Sequence, residues 1–255
     1  QIANRLQYRI PGSEIVRLDN APGVYNSPAS VNQALVNTAN VTVLEWVGYD
    51  IDGWRGDGNS TLPLWSGFID VKATKANGNT AILNTSETNA SRILNVWQAL
   101  SPSGFNGVGA GVFFVQDSNF NVQSGFGWDG NLIANQTTTV HRVNVTAGND
   151  NILSTTVSTF SGQNIYEFYK LSWTAYALVY DKAARTLTLH YDYRPWNGQS
   201  YANGTSEVLM ENVDTFRFRS AGDAMKVQVC IQDAKLFQDN NGTGAFSICK
   251  EKTVF

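Results

Sequence analysis

Charge, sulfur and imidazole are scarce in this 255-residue chain: 15 % Asp, Glu, Lys and Arg, 2 Cys, 2 Met and 2 His. The two imidazoles, His141 and His190, are the ordinary proton-transfer groups on offer. His190 falls on the polar side of an alternating run, where a solvated residue is the plainer reading than a catalyst. Two His and two Cys do not make a zinc site of the usual kind if the thiols bond to each other. No two Lys or Arg residues adjoin and the net charge is −3, so the electrostatic footprint of a nucleic-acid binder is missing. No run approaches the roughly 20 apolar residues that a membrane-spanning helix needs. G-x-S-x-G, the phosphate-binding loop and H-E-x-x-H are all missing from the sequence. The expectation is a non-enzymatic protein with no cofactor.

What is present is β-forming. Hydrophobic residues are 42 %, with 22 Gly, 7 Trp, 10 Tyr and 13 Phe, a composition suited to a secreted or cell-surface β-protein. The stretch from Trp173 to Asp233 contains four β-like runs separated by turn formers. In one of them Leu187, Leu189, Tyr191 and Tyr193 alternate with Thr186, Thr188, His190 and Asp192, the period of a half-buried strand. Thr174 to Tyr180 precedes it across the short DKAAR turn, which predicts a hairpin. Phe216 and Phe218, then Val227, Val229 and Ile231, repeat the alternation. Together these runs predict a four-stranded antiparallel sheet with one apolar face in need of a cover.

Ile2, Leu6 and Ile10 stand four apart and Pro11-Gly12 follows, so residues 1–10 predict the end of a longer helix with one apolar stripe. That stripe is the predicted cover of the sheet. Thr85 to Leu100 predicts a second helix, with Ile93, Leu94, Trp97 and Leu100 on one face and Ser101-Pro102 as its stop. Strands are expected at Val41 to Tyr49, Ser66 to Val71, Gly107 to Phe114, His141 to Thr146 and Asn151 to Thr156. No linker or repeat divides the chain, so a single domain is expected over 1–255, with 1–10 its helix end and 13–255 its β-rich part.

Cys230 alternates with Gln228 and Gln232, on the polar side of its run, and a loop rich in Asn, Gly and Asp leads to Cys249. Buried inert thiols usually favour the apolar side, so a disulfide pinning the tail outside the sheet is expected, in an oxidising compartment. The Asp50, Asp52, Asp57 loop offers oxygen ligands to Ca²⁺, although Asp-Gly pairs are first of all turn formers and the EF-hand spacing is missing. Trp54, Trp65, Trp128 and Trp196 are the residues for stacking on sugars if they are exposed, and core packing if not. Three N-x-S/T acceptor matches, Asn59, Asn89 and Asn241, also carry an acid two residues earlier, the longer pattern of some bacterial glycosylation enzymes.

The segments NRLQYRIPGS (Asn4 to Ser13), EFYKLSWTAYALVY (Glu167 to Tyr180), RTLTLHYDYRPW (Arg185 to Trp196), VLMENVDTFRFR (Val208 to Arg219) and KVQVCIQD (Lys226 to Asp233) resemble, in order and spacing, a minor pseudopilin of the bacterial type II secretion system. The likeness is to the J-type component, while the tail CKEKTVF resembles type IV pilin-like chains. The resemblance covers about the last 90 residues and the first 15. It implies an α+β, mostly β, pilin-like fold in which the C-terminal part of a long N-terminal helix packs on antiparallel sheets. It further implies a non-catalytic subunit at the tip of the pseudopilus, with I- and K-type pseudopilins as partners and exported proteins as a further contact. The place it implies is the periplasm, with the upstream helix anchored in the inner membrane. Two alternatives stand beside it: a secreted lectin-like β-sandwich using the tryptophans and Ca²⁺ at Asp50, Asp52 and Asp57, and a glycoside hydrolase with a carboxylate pair.

Overall fold

Alternating apolar and polar residues, closed by Asp, Asn and Gly turns, build the chain into mostly antiparallel β-structure with three short α-helices among the described residues. The computed structural model describes residues 2–19, 39–58, 62–77, 80–116, 125–133, 139–155, 164–221, 224–232 and 247–255. Helices α1 (Ile2–Gln7), α2 (Ile51–Arg55) and α3 (Ala90–Leu100) are interspersed among the strands. A five-stranded sheet runs β1 (Ile15–Leu18), β2 (Val41–Gly48), β9 (Thr174–Asp181), β10 (Thr186–Tyr193), β11 (Thr205–Met210). A three-stranded sheet runs β12 (Val213–Ala221), β13 (Ala224–Gln232), β14 (Ser247–Val254). A six-stranded sheet joins β3 (Lys75–Asn77), β4 (Thr80–Asn84), β7 (Ile152–Ser154), β6 (Val140–Asn144), β5 (Val108–Phe114) and β8 (Tyr169–Ser172) in that order.

The chain gathers into two compact units, each made of segments distant in sequence. The first comprises Gln1–Trp46, Tyr176–His190 and Ser206–Phe255, and the second Val47–Ala175 and Tyr191–Thr205. In the second unit, α3 buries Ile93, Leu94 and Trp97 in a core that includes Leu83, Val112, Val143, Leu153 and Leu171 from the six-stranded sheet. Its start is fixed by Asn89, whose side chain accepts a hydrogen bond from the Arg92 N–H at 3.0 Å, while Asp150 accepts from the Ala90 N–H at 2.7 Å. This helix therefore begins at Ala90, not Thr85: the five preceding residues make the turn that presents the cap.

The expected four-stranded sheet from Thr174 to Asp233 is divided between two sheets. β9 and β10 do pair, but the free side of β10 is taken by β11, a short polar strand between the runs. β12 and β13 pair instead with β14, the chain's last strand. Likewise, Ser66 to Val71 contributes only an isolated bridge, Phe68 to Phe168, because Ser66 Oγ accepts the Phe68 N–H at 3.2 Å and turns the chain.

The first unit begins with α1, which ends at Gln7 rather than Ile10. Its termination has two physical causes. Ile10 precedes Pro11, and the proline ring disfavours helical backbone at the residue before it. Arg9 Nη1 donates to the Leu6 carbonyl at 2.9 Å, and its guanidinium also pairs with Glu14, so the last turn is closed by a side chain. Leu6 and Ile10 are both buried, Ile2 only partly.

Candidate functional site

The strand pairing of the C-terminal sheet decides which side chains share a face. Val227 pairs with Lys252 and Val229 with Lys250, and directly opposed residues of an antiparallel pair point the same way. Phe216 and Phe218 of β12 pair with Val229 and Val227, so one face carries an apolar sequence continued at its β14 end by two lysines. Helix α1 lies beside β14, and Leu6, 1 % exposed, lines one cavity with Val227 and Val229.

Helix α1 leaves part of that face open. A groove of 660 Å³ lies between Ile2, Ala3 and Leu6 of the helix and Val227 and Val229 of the sheet. Leu209 and Met210 of β11 form a further apolar wall, and Lys250, Glu251, Lys252 and Val254 of β14 line the remaining side. Both β11 and β14 stand last in their sheets among the described residues. Glu251 points to the opposite face, where it pairs with Lys226 at 2.7 Å. Lys250 and Lys252 make no ion pair among the described residues.

Cys230 and Cys249 form the disulfide on that opposite face. The tail is not outside the sheet, as the sequence suggests, but is itself the third strand. Cys230 is 5 % exposed and bonded to its register partner Cys249 on β14.

The second unit holds a buried acid. Asp50 caps α2: Oδ1 accepts the Gly53 N–H at 3.0 Å and its own N–H donates to Leu171 O at 2.6 Å. The Trp65 indole N–H donates to the Asp50 carbonyl at 3.1 Å. A Cβ on Gly53 would fall 2.1 Å from Asp50 Oδ2, so only glycine lets the carboxyl lie over this turn. Burial pushes the Asp50 carboxyl up to about 7, with a small further push from Asp52. The bond from Gly53 and the nearby Trp97 and Trp65 indoles act in the other direction. Trp97 Nε1 and Asp50 Oδ2 nevertheless make no hydrogen bond of ordinary geometry. An acid that is 2 % exposed offers no surface to a solute, so Asp50 serves its helix.

The remaining sequence candidates are dispersed. Asp57 accepts from Arg92 Nε at 2.6 Å in an ion pair, while Asp50 is held by Gly53. The Asp50, Asp52, Asp57 loop does not converge, and among the described residues no three His, Cys, Asp or Glu side chains are placed to hold a metal. Asn89 is committed to its helix cap, whereas Asn59 and Asn241 lie outside the described residues. Trp65, Trp128 and Trp196 are buried, and Trp54, 37 % exposed, leans on Trp65 with ring centroids 4.7 Å apart. His141 is buried among core residues beside the Phe114 ring at 5.0 Å.

Sequence reasoning missed Leu209, Met210, Lys250, Lys252 and Val254 as groove residues. The one usable signal was the alternation Ile248, Lys250, Lys252, Val254, diluted by its two charges. Comparison with known proteins brings no family model, no curated protein and no solved structure that matches the chain.

Proposed function

We propose that this chain is a non-enzymatic, pilin-like assembly subunit, similar to the J-type minor pseudopilins of type II secretion. The observation that carries the reading is α1: a short helix at the start of the described chain, with Leu6 sunk to 1 % exposure and the helix apposed to the last strand, β14. A helix anchored in this way on an antiparallel sheet is the arrangement that the resemblance of Asn4 to Ser13 and Glu167 to Asp233 calls for. In this reading the helix continues upstream into the inner membrane, the β-rich part stands in the periplasm, and neighbouring subunits are met heterologously. I- and K-type pseudopilins are the partners, and protein export is the process served.

Two features favour this reading over the lectin-like alternative. Three of the four candidate sugar-stacking tryptophans are buried, and two of the three aspartates of the candidate calcium loop, Asp50 and Asp57, are bound to Gly53 and Arg92 instead. The test mixes the chain with the soluble domains of I- and K-type pseudopilins and reads the species by native mass spectrometry. A ternary complex is expected. Free components at concentrations well above micromolar, with each domain folded by circular dichroism, would overturn the assignment.

A further inference from the structure

We propose that the groove beside α1 is a binding site for a single-chain anionic amphiphile, an acyl chain ending in a carboxylate or phosphate. The inference does not depend on how the chain assembles. It rests on the distribution of polarity around the cavity. Apart from Lys250, Glu251 and Lys252, every residue lining the groove is apolar. The polar part is therefore confined to one strand, so the site has apolar walls and one polar side.

The charge on that side is cationic. Glu251 is turned to the other face and neutralised there by Lys226 at 2.7 Å. Lys250 and Lys252, two residues apart on a strand, lie on the groove face roughly 7 Å from each other. Two flexible ammonium groups at that spacing can close on one anionic head, which neither could neutralise as well alone. Val227 and Val229, their cross-strand partners, supply the floor onto which the first methylenes would run.

Size points to a small molecule rather than a protein segment. A volume of 660 Å³ lies inside the usual 300–1,000 Å³ range of small-ligand sites. Stable protein interfaces bury about 800 Å² on each partner and need more than one such cleft. Met210, unbranched and polarizable, stands 37 % exposed in the wall, where it can adapt to chains of differing length.

The experiment uses palmitate, kept below its micellar concentration, to displace a fluorescent fatty acid from the chain. Methyl palmitate and hexadecylamine serve as neutral and cationic counterparts of the same length, and a single-chain phosphate ester distinguishes the carboxylate from the phosphate source. Saturable displacement by palmitate or the phosphate ester is expected, with both counterparts about tenfold weaker, the size of one or two partly exposed charge contacts. K250A with K252A should bring palmitate down to the level of the methyl ester. Ala3→Trp should block the cavity and abolish displacement, and Leu209→Trp, from the opposite wall, is the second blocker should the first variant melt early. Absence of saturable binding would overturn the proposal. So would palmitate affinity unchanged in the folded lysine and tryptophan variants, equal binding of the amine, or displacement only by an apolar peptide.

Discussion

Cys230 and Cys249 are register partners on neighbouring strands, their Cα atoms 4.0 Å apart, and the disulfide between them ties the edge strand β14 to β13. It closes a loop with a sequence separation of 19, for which the chain-entropy account gives about 3 kcal/mol of stabilisation. We expect C230A with C249A to lower the unfolding free energy in urea by that amount. Amide exchange in Ser247–Val254 should rise further than elsewhere, since this strand has a paired neighbour on one side only among the described residues. Titration of the denatured, unreduced chain that finds two free thiols would remove the basis of both outcomes.

The buried acid at Asp50 gives the second unit a distinctive pH response. Its carboxyl stands at about 7 in the folded chain against 3.8 ordinarily. Between those values the folded chain keeps a proton that the unfolded chain has lost. Stability therefore falls as pH rises through this window and levels off above about 7. Asp50→Asn should flatten that slope by a few kcal/mol across the window and leave the chain more stable than the parent at pH 8. Urea midpoints of both proteins from pH 4 to 8 provide the check. Parallel curves would mean that Asp50 is ionised and satisfied in the fold.

How much of this was legible in the sequence depends on how local the information is. The β9–β10 hairpin follows from its period of two, and α3 from Ile93, Leu94 and Trp97 on one face. Helix α2 spans only Ile51–Arg55, too short for a helical period to emerge, and its aspartates look like a loop or a cation site until Asp50 is seen bonding Gly53. β11 is largely exposed, so TSEVLM carries little alternation, yet it completes the sheet that ends at β10. The groove was beyond reach, because its walls come from residues 2–6, 209–210 and 227–254. Alternation at β10 also fails at its end: Tyr191 is partly exposed and Asp192 buried because Asp192 takes φ +62°, which breaks the pleat.

Helix α1 can be tested one residue at a time. Leu6→Ala removes a side chain that is 1 % exposed and should cost 2–5 kcal/mol, as large-to-small changes in cores do. Ile2→Ala should cost less, because Ile2 is partly exposed and borders the open groove. Asn4→Ala and Gln7→Ala lie on the exposed side and should fall within about 0.5 kcal/mol of the parent. Thermal or urea unfolding of the four variants gives the ranking. Equal costs at all four positions would deny α1 a buried face.

The break at Asp192 is itself held by charge. Its Oδ2 accepts from the Ser101 hydroxyl at 2.8 Å and the Ser103 N–H at 2.9 Å, while Oδ1 accepts from Arg194 Nη1 at 3.2 Å. Arg194 also donates to the Trp173 carbonyl at 3.3 Å, and its guanidinium stands 4.3 Å from the Phe105 ring centroid. Burial pulls the arginine below its usual range, and the hydrogen bond from Arg194 to Asp192 opposes that pull, so the pair depends on its carboxylate. Asp192→Asn puts there one of the non-glycine residues that tolerate positive φ and removes only the charge. We expect it to cost about 3–5 kcal/mol, the usual penalty for leaving one partner of a buried pair uncompensated. Asp192→Ala should cost more, since it also removes the acceptor of the Ser103 N–H and of the Ser101 hydroxyl, of which the hydroxyl keeps Ser103 Oγ at 3.2 Å, and places alanine at φ +62°. Arg194→Met in the Asn background should recover part of the loss by removing the buried cation, and a double-mutant cycle measures how much. A cycle with no coupling, or an Asn variant as stable as the parent, would show that backbone geometry at Asp192, not its charge, holds this corner.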